Sequence, residues 1–191
     1  MKSLYGILLF LLISCSEIKE QESYEIYNTV LHEYVSTYGI AHQYDNFDGD
    51  SISHKKSLDS LKYSNTLLYY ISPSLQILDT LNLENERPID ESIIFIEISP
   101  NYSQNKLNFS KLKPIWFAKR VSEPLPIKEN GQQTYLGDYE LSEPLFNKTM
   151  DKAQIKYEHH CGSKCGVGLR LYLEKTIGKW KIAREELIWI S

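Results

Sequence analysis

From Lys152 to Ile190 the chain alternates apolar and polar residues with a period of two, and a pair of cysteines fixes how the alternating runs face one another. Ala153, Ile155 and Tyr157 alternate with Gln154, Lys156 and Glu158, and Val167, Leu169, Leu171 and Leu173 alternate with Gly168, Arg170, Tyr172 and Glu174. This is the pattern of half-buried strands. If the runs are joined through Gly162-Ser163-Lys164 with Cys161 opposite Cys165, Tyr157 faces Leu169, Ile155 faces Leu171 and Ala153 faces Leu173. A one-residue slip would turn one strand's apolar set to solvent, so the register that pairs the cysteines is also the one that buries the core. Opposed residues of an antiparallel pair lie about 4.5–5.5 Å apart at Cα. That falls inside the roughly 4.4–6.8 Å that a disulfide spans, so a Cys161–Cys165 bridge is expected. Gly162 and Gly166 permit the positive φ that so tight a turn can require. A second hairpin turns at Ile177-Gly178 and places Glu174 across from Lys181 and Leu173 across from Ile182. The last residues, Leu187 to Ser191, are then tied into the sheet.

Upstream, Tyr27, Leu31, Tyr34 and Tyr38, with Val30 and Val35 alongside, follow the 3-to-4 spacing of an amphipathic helix over 24–38. Ser23 suits its N-cap and Gly39 its stop. Residues 16–23 are polar, with three glutamates, and read as a tether. Residues 66–71 and 75–81 flank Ser72-Pro73-Ser74 as a hairpin, 93–98 (IIFIEI) reads as a buried strand, and 115–121 is a further strand candidate. Residues 45–50 imitate a calcium loop. With Gly49 at the sixth position, Tyr44 and Lys55 would occupy the first and twelfth, where acidic oxygens belong, so a solvated turn is the better reading.

The N-terminus carries an address. Lys2 precedes an apolar run, Leu4 to Ile13, about half the roughly 20 residues a membrane-spanning helix needs. The run leads into Leu12-Ile13-Ser14-Cys15, which resembles the lipobox of bacterial lipoproteins. That resemblance implies cleavage after residue 14, lipidation of Cys15 with acyl chains such as palmitate, and a mature chain beginning at Cys15. Loss of Lys2 takes the net charge from −4 to −5. No Lys/Arg cluster offers a nucleic-acid footprint or a polybasic membrane patch, so the anchor is expected to come from lipid, and stable anchoring takes more than one chain. With Cys15 set aside, the remaining two of the three cysteines form an even pair in an oxidising compartment. Ser16 is not the aspartate that resembles an inner-membrane retention signal, which leans toward the outer membrane.

The segments 160–168 (HCGSKCGVG), 173–175 (LEK), 178–181 (GKWK) and 189–191 (WIS), with 142–147 (SEPLFN) upstream, resemble the C-terminal signature of uncharacterised lipoproteins of Bacteroidota-type bacteria. The resemblance implies no activity. The triplets Asp50-Ser51-Ile52, Asp59-Ser60-Leu61 and Asp79-Thr80-Leu81 also resemble O-glycosylation sites of such bacteria, though triplets this short arise readily by chance.

Chemistry-bearing clusters are few. His159, His160, Cys161 and Cys165 are the ligand types of zinc or copper sites. Adjacent residues of a strand face opposite ways, so His159 shares the cysteine face and His160 does not. Three ligands are one short of a closed zinc site, and a disulfide would remove two of them. Redox thiols favour Cys-x-x-Cys at a helix N-terminus, which this hairpin lacks, and no Gly-x-Ser-x-Gly elbow accompanies the histidines. His32, His42 and His54 read as surface or boundary residues. Glu185-Glu186 and Asp90-Glu91 read as solvated faces, and Trp116, Trp180 and Trp189 as core or, less often, cleft residues. No catalytic residue, metal or cofactor is assigned.

The expected fold is one α+β domain over 24–191: an N-terminal helix on a bent antiparallel sheet of about five or six strands ending in a meander. Cystatin-like and NTF2-like cones are the nearest analogy, at the level of fold alone. The expected function is a non-enzymatic, lipid-anchored binding module of the cell envelope, with a protein or small-molecule ligand and no nucleic acid. The alternative is an envelope enzyme or metal protein using the His159/Cys161/Cys165 tip.

Overall fold

A computed structural model of the protein describes residues 17–35, 67–76, 106–126, 135–162 and 164–191. The expectations for Cys15, for the cleavage at residue 14, for 93–98, for Gly39, His42, His54 and Asp90-Glu91, and for the acidic triplets lie outside these residues.

Residues 17–35 form a helix, α1. Its buried stripe is Ile26, Tyr27, Val30, Leu31, Tyr34 and Val35, the apolar face set by the 3-to-4 spacing, and His32 lies on the exposed side. The helix runs through 17–23, where the sequence suggested a tether with Ser23 as cap. Ser23 is a helix-interior residue whose hydroxyl donates to the Lys19 carbonyl at 2.9 Å. Long-range bonds hold this polar stretch. Glu20 pairs with Lys111 at 2.6 Å, and Glu22 reaches Lys175 at 2.5 Å and accepts from the Trp180 indole at 2.7 Å.

Among the described residues seven strands form one open sheet: β1 (Leu67–Ile71), β2 (Ala118–Arg120), β3 (Tyr135–Leu141), β4 (Leu145–Phe146), β5 (Lys152–Gly162), β6 (Cys165–Thr176) and β7 (Lys179–Ile190). The spatial order is β2-β1-β3-β5-β6-β7, with β4 beside β5. The fold is α+β with a C-terminal meander, as expected, but the sheet is mixed. β1 runs parallel to both β2 and β3. Of the expected 66–81 hairpin, residues 66 and 77–81 lie outside the described residues, and β1 pairs with β2 and β3 rather than with Leu75 or Gln76. Ser74 bridges Lys106, and Gln76 bridges Ser142 in parallel. Of the strand candidate at 115–121, only Ala118–Arg120 is strand.

β5 and β6 pair as their alternation requires, Tyr157 with Leu169, Ile155 with Leu171 and Ala153 with Leu173, but a register shift after His160 sets Gly162, not Cys161, opposite Cys165; Glu174 meets Lys181 across the second hairpin. One face of the meander, Ala153, Ile155, Tyr157, Leu169, Leu171 and Leu173, is buried in the same core as α1. The Tyr34 ring lies 4.7 Å from Tyr157. Glu22 of α1 meets Lys175 and Trp180 beside the β6–β7 turn, whereas Tyr34 meets Tyr157 midway along β5, closer to the β5–β6 tip. The helix therefore runs from the β6–β7 turn toward the β5–β6 tip. Two register shifts, at Tyr172/Leu173 and Gly168/Leu169, place bulges along β7. Ser191 extends the β6–β7 pairing by one residue, its amide donating to the Gly166 carbonyl at 3.1 Å.

Candidate functional site

Cys161 and Cys165 are joined by a disulfide across the β5–β6 tip, with Cα atoms 5.1 Å apart. The paired sulfurs are not thiolates, so they offer neither a nucleophile nor metal ligands in this form. His159 points into the core at 1% exposure. Its Nε2 lies 2.7 Å from the Leu136 carbonyl, to which it donates, and its ring stacks on Tyr139 at 4.5 Å. Gly137 makes room for this arrangement. It adopts φ +113°, and a Cβ there would lie 2.7 Å from His159 Nε2. His160 faces the other way and stacks on Trp189 at 5.2 Å. The tip residues thus divide into a covalent staple, a hydrogen-bonded core histidine and a stacked outer-face histidine. Among the described residues no group of three His, Cys, Asp or Glu side chains is arranged to hold a metal ion.

The three tryptophans serve three places rather than one cleft. Trp116 is 60% exposed beside Phe117, and Trp180 is buried against Phe146 and Glu22. Trp189 lies over Gly166 and Gly168, where a Cβ would come within 2.9 Å and 2.5 Å of ring carbons. The glycines leave a flat bed for the indole, and register explains it, since Gly168 is the direct cross-strand partner of Trp189.

The indole ends in a polar clasp on the outer face of the sheet. Trp189 Nε1 donates to Glu158 Oε1 at 2.8 Å, Lys156 Nζ approaches the same oxygen at 2.7 Å, and Gln76 Nε2 donates to Glu158 Oε2 at 2.7 Å. Gln76 also donates to Glu140 at 2.5 Å, and Glu140 sits directly opposite Glu158. Opposed carboxylates repel, and the shared amide offsets that repulsion. Burial pushes the Glu158 carboxyl up, but the bonds from Lys156, Gln76 and Trp189 outweigh it and hold the group below the usual carboxylate range. Glu158 is therefore ionised and engaged at both oxygens at neutral pH, which suits a fastener better than a general acid. Sequence reading missed the clasp because Gln76, Glu140, Glu158 and Trp189 come from distant positions. Glu186, read as a solvated carboxylate, likewise bonds Tyr172 at 2.9 Å and Arg184 at 3.2 Å.

A cleft of about 340 Å³ beside α1 includes Tyr24, Tyr27, Leu75, Lys106 and Glu143 in its lining. Burial, reinforced by Glu143 and Tyr24, raises the Tyr27 hydroxyl well above the ordinary tyrosine range, so it stays protonated and is no nucleophile at neutral pH.

The remaining feature is β7 itself. Its first two-thirds carry Lys179, Lys181, Arg184, Glu185 and Glu186, charges of the kind that discourage edge-to-edge pairing. Its last turn of sequence does not. Leu187, Ile188 and Ile190 are 58%, 42% and 73% exposed, on a strand that pairs with β6 and, among the described strands, has no neighbour on its other side. In comparisons with known proteins, the chain matches no family model, no curated protein and no solved structure.

Proposed function

We propose that this protein is a lipid-anchored binding module of the bacterial cell envelope, held by acyl chains on Cys15, that receives an extended segment of a partner protein along the end of β7. The observation that carries the reading is the exposed apolar edge at Leu187, Ile188 and Ile190, which has no strand on its outer side among the described strands. An edge strand offers a row of backbone donors and acceptors, and strand addition satisfies them while alternate apolar side chains supply selectivity. The disulfide at the tip and the Trp189–Glu158 clasp keep this end of the sheet in one shape, which lowers the ordering cost of binding. The charges between Lys179 and Glu186 confine pairing to the last residues of β7.

The test is cross-linking in intact envelopes with the lipidated chain, comparing the wild type with an Ile188→Lys/Ile190→Lys variant of equal thermal stability. A discrete cross-linked partner that the variant loses is the expected result. A partner retained by the variant, or none in either, would overturn strand addition at β7.

A further inference from the structure

Ile177 stands where an isoleucine brings the fold nothing. It is 97% exposed at the β6–β7 turn, and its φ is +52°, followed by Gly178 at +73°. Two consecutive positive φ values define a turn that favours Asn-Gly or Asp-Gly, and a β-branched residue there is a steric outlier. The side chain therefore carries a local cost with no packing within the protein to offset it, and a contact outside the chain would supply the missing compensation.

The position of α1 says what that contact is. Glu22 bonds both Lys175 and Trp180, the residues on either side of the turn, so the start of the helix lies at the same end of the sheet. From Glu22 back to Glu17 the helix extends by about 7.5 Å. Cys15 is two residues earlier, and even a fully extended chain carries it no further than about 7 Å from Glu17. Ile18, on the helix's first described turn, is 48% exposed. Around this end the charges are mixed: Lys19, Lys175, Lys179 and Lys181 against Glu17, Glu20, Glu22 and Glu174. Such a surface has little electrostatic pull on anionic lipid and presents isolated apolar side chains instead.

We propose that the β6–β7 turn is a membrane-contacting wedge: Ile177 enters the acyl region of the bilayer beside the lipidated Cys15, with Ile18 at the interface. The inference rests on the lipid-anchor reading and deepens it by giving the domain an orientation. β7 has 12 residues and spans about 35 Å, so the disulfide tip and the Leu187–Ile190 edge are held away from the bilayer, where a partner can reach them.

The test uses the acylated full chain in phosphatidylcholine vesicles, with nitroxide labels at Ile177→Cys or Ser191→Cys read for access to an aqueous and a lipid-soluble quencher. The wedge predicts that the label at 177 is several-fold less accessible to the aqueous quencher than the label at 191, and more accessible to the lipid-soluble one. An Ile177→Asn variant separates contact from folding, because asparagine suits this turn better than isoleucine. With the label moved to Lys179→Cys, Ile177→Asn should raise aqueous quenching several-fold without lowering thermal stability. Equal aqueous access at 177 and 191 on a chain whose mass shows acylated Cys15 overturns the wedge alone. A mass without acyl chains overturns the anchor reading and the wedge with it.

Discussion

Replacing Gly168 with alanine gives opposite signs in the two accounts of this strand. Considered only as a glycine in a strand interior, Gly168→Ala should stabilise the protein by about 0.5–1 kcal/mol through lost chain freedom. The structure requires the reverse. A Cβ at 168 would overlap Trp189 Nε1 and lie 2.5 Å from Cδ1 and 2.7 Å from Cε2, so the indole must lift. Lifting it breaks the 2.8 Å bond to Glu158 and disturbs the His160 stack. A hydrogen bond to a charged group contributes about 1.5–3 kcal/mol, and the low end applies to the Trp189 indole, which is only partly buried. The stack contributes about 0.5 kcal/mol and residual crowding costs about 1 kcal/mol. Against the glycine gain, the net expectation is a destabilisation of about 2 kcal/mol, or about 4–8 °C in Tm for a chain of this size. Urea denaturation of four proteins closes the argument: wild type, Gly168→Ala, Trp189→Ala and the double variant. In the Trp189→Ala background the clash is gone and Gly168→Ala should be neutral or mildly stabilising, a coupling of about 2–3 kcal/mol. A stabilising Gly168→Ala in the wild type, or the same cost in both backgrounds, would refute the account.

Three further outcomes follow from named groups. Tyr139 is fully buried and its hydroxyl has no hydrogen-bond partner among the described residues, so Tyr139→Phe should leave stability unchanged or raise it by up to about 1 kcal/mol in denaturant melts. Because the folded Glu158 carboxyl sits below its ordinary 4.5, its contribution is fully present above about pH 4.5 and is lost as pH falls through the folded value. Glu158→Gln should therefore lower stability at pH 7 and flatten the acid limb of a stability-against-pH curve, whereas an unchanged limb would count against the clasp. The Cys161–Cys165 bridge closes a five-residue loop, for which chain entropy gives about 2 kcal/mol, so Cys161→Ser with Cys165→Ser should cost no more than that and keep native circular dichroism.

What the sequence made legible was local. Alternation over 152–190, anchored by two cysteines four residues apart, carried the β5–β6 pairing at Ala153, Ile155 and Tyr157, because a slip would expose an entire apolar set. The buried stripe of α1 was equally plain from Tyr27, Leu31 and Tyr34. Non-local choices were not legible. β1 lies parallel to β2 and β3 because long connections bring them together, and nothing in the run 67–71 encodes its partner's direction. The first turns of α1 read as a tether because their stabilising partners, Lys111, Lys175 and Trp180, are distant in sequence. The bulges at Tyr172/Leu173 and Gly168/Leu169 add residues to β7 that a strict period of two does not anticipate. His159 looked like a ligand because imidazole beside two cysteines is ligand chemistry. Its burial depends on Gly137, which sequence alone does not place across from it. One signal was readable in principle: the alternating glycines at 166 and 168 lie across from a strand ending in tryptophan, a pattern that marks a ring laid over glycine.

The central claim is a disulfide-pinned domain carried by a lipid on Cys15, and the most direct measurement is the intact mass of the full chain purified from a bacterial envelope, before and after reduction. The account predicts a chain starting at Cys15 that carries acyl chains and gains two hydrogens on reduction. A chain retaining residues 1–14, a Cys15 without acyl mass, or a mass unmoved by reductant would contradict it.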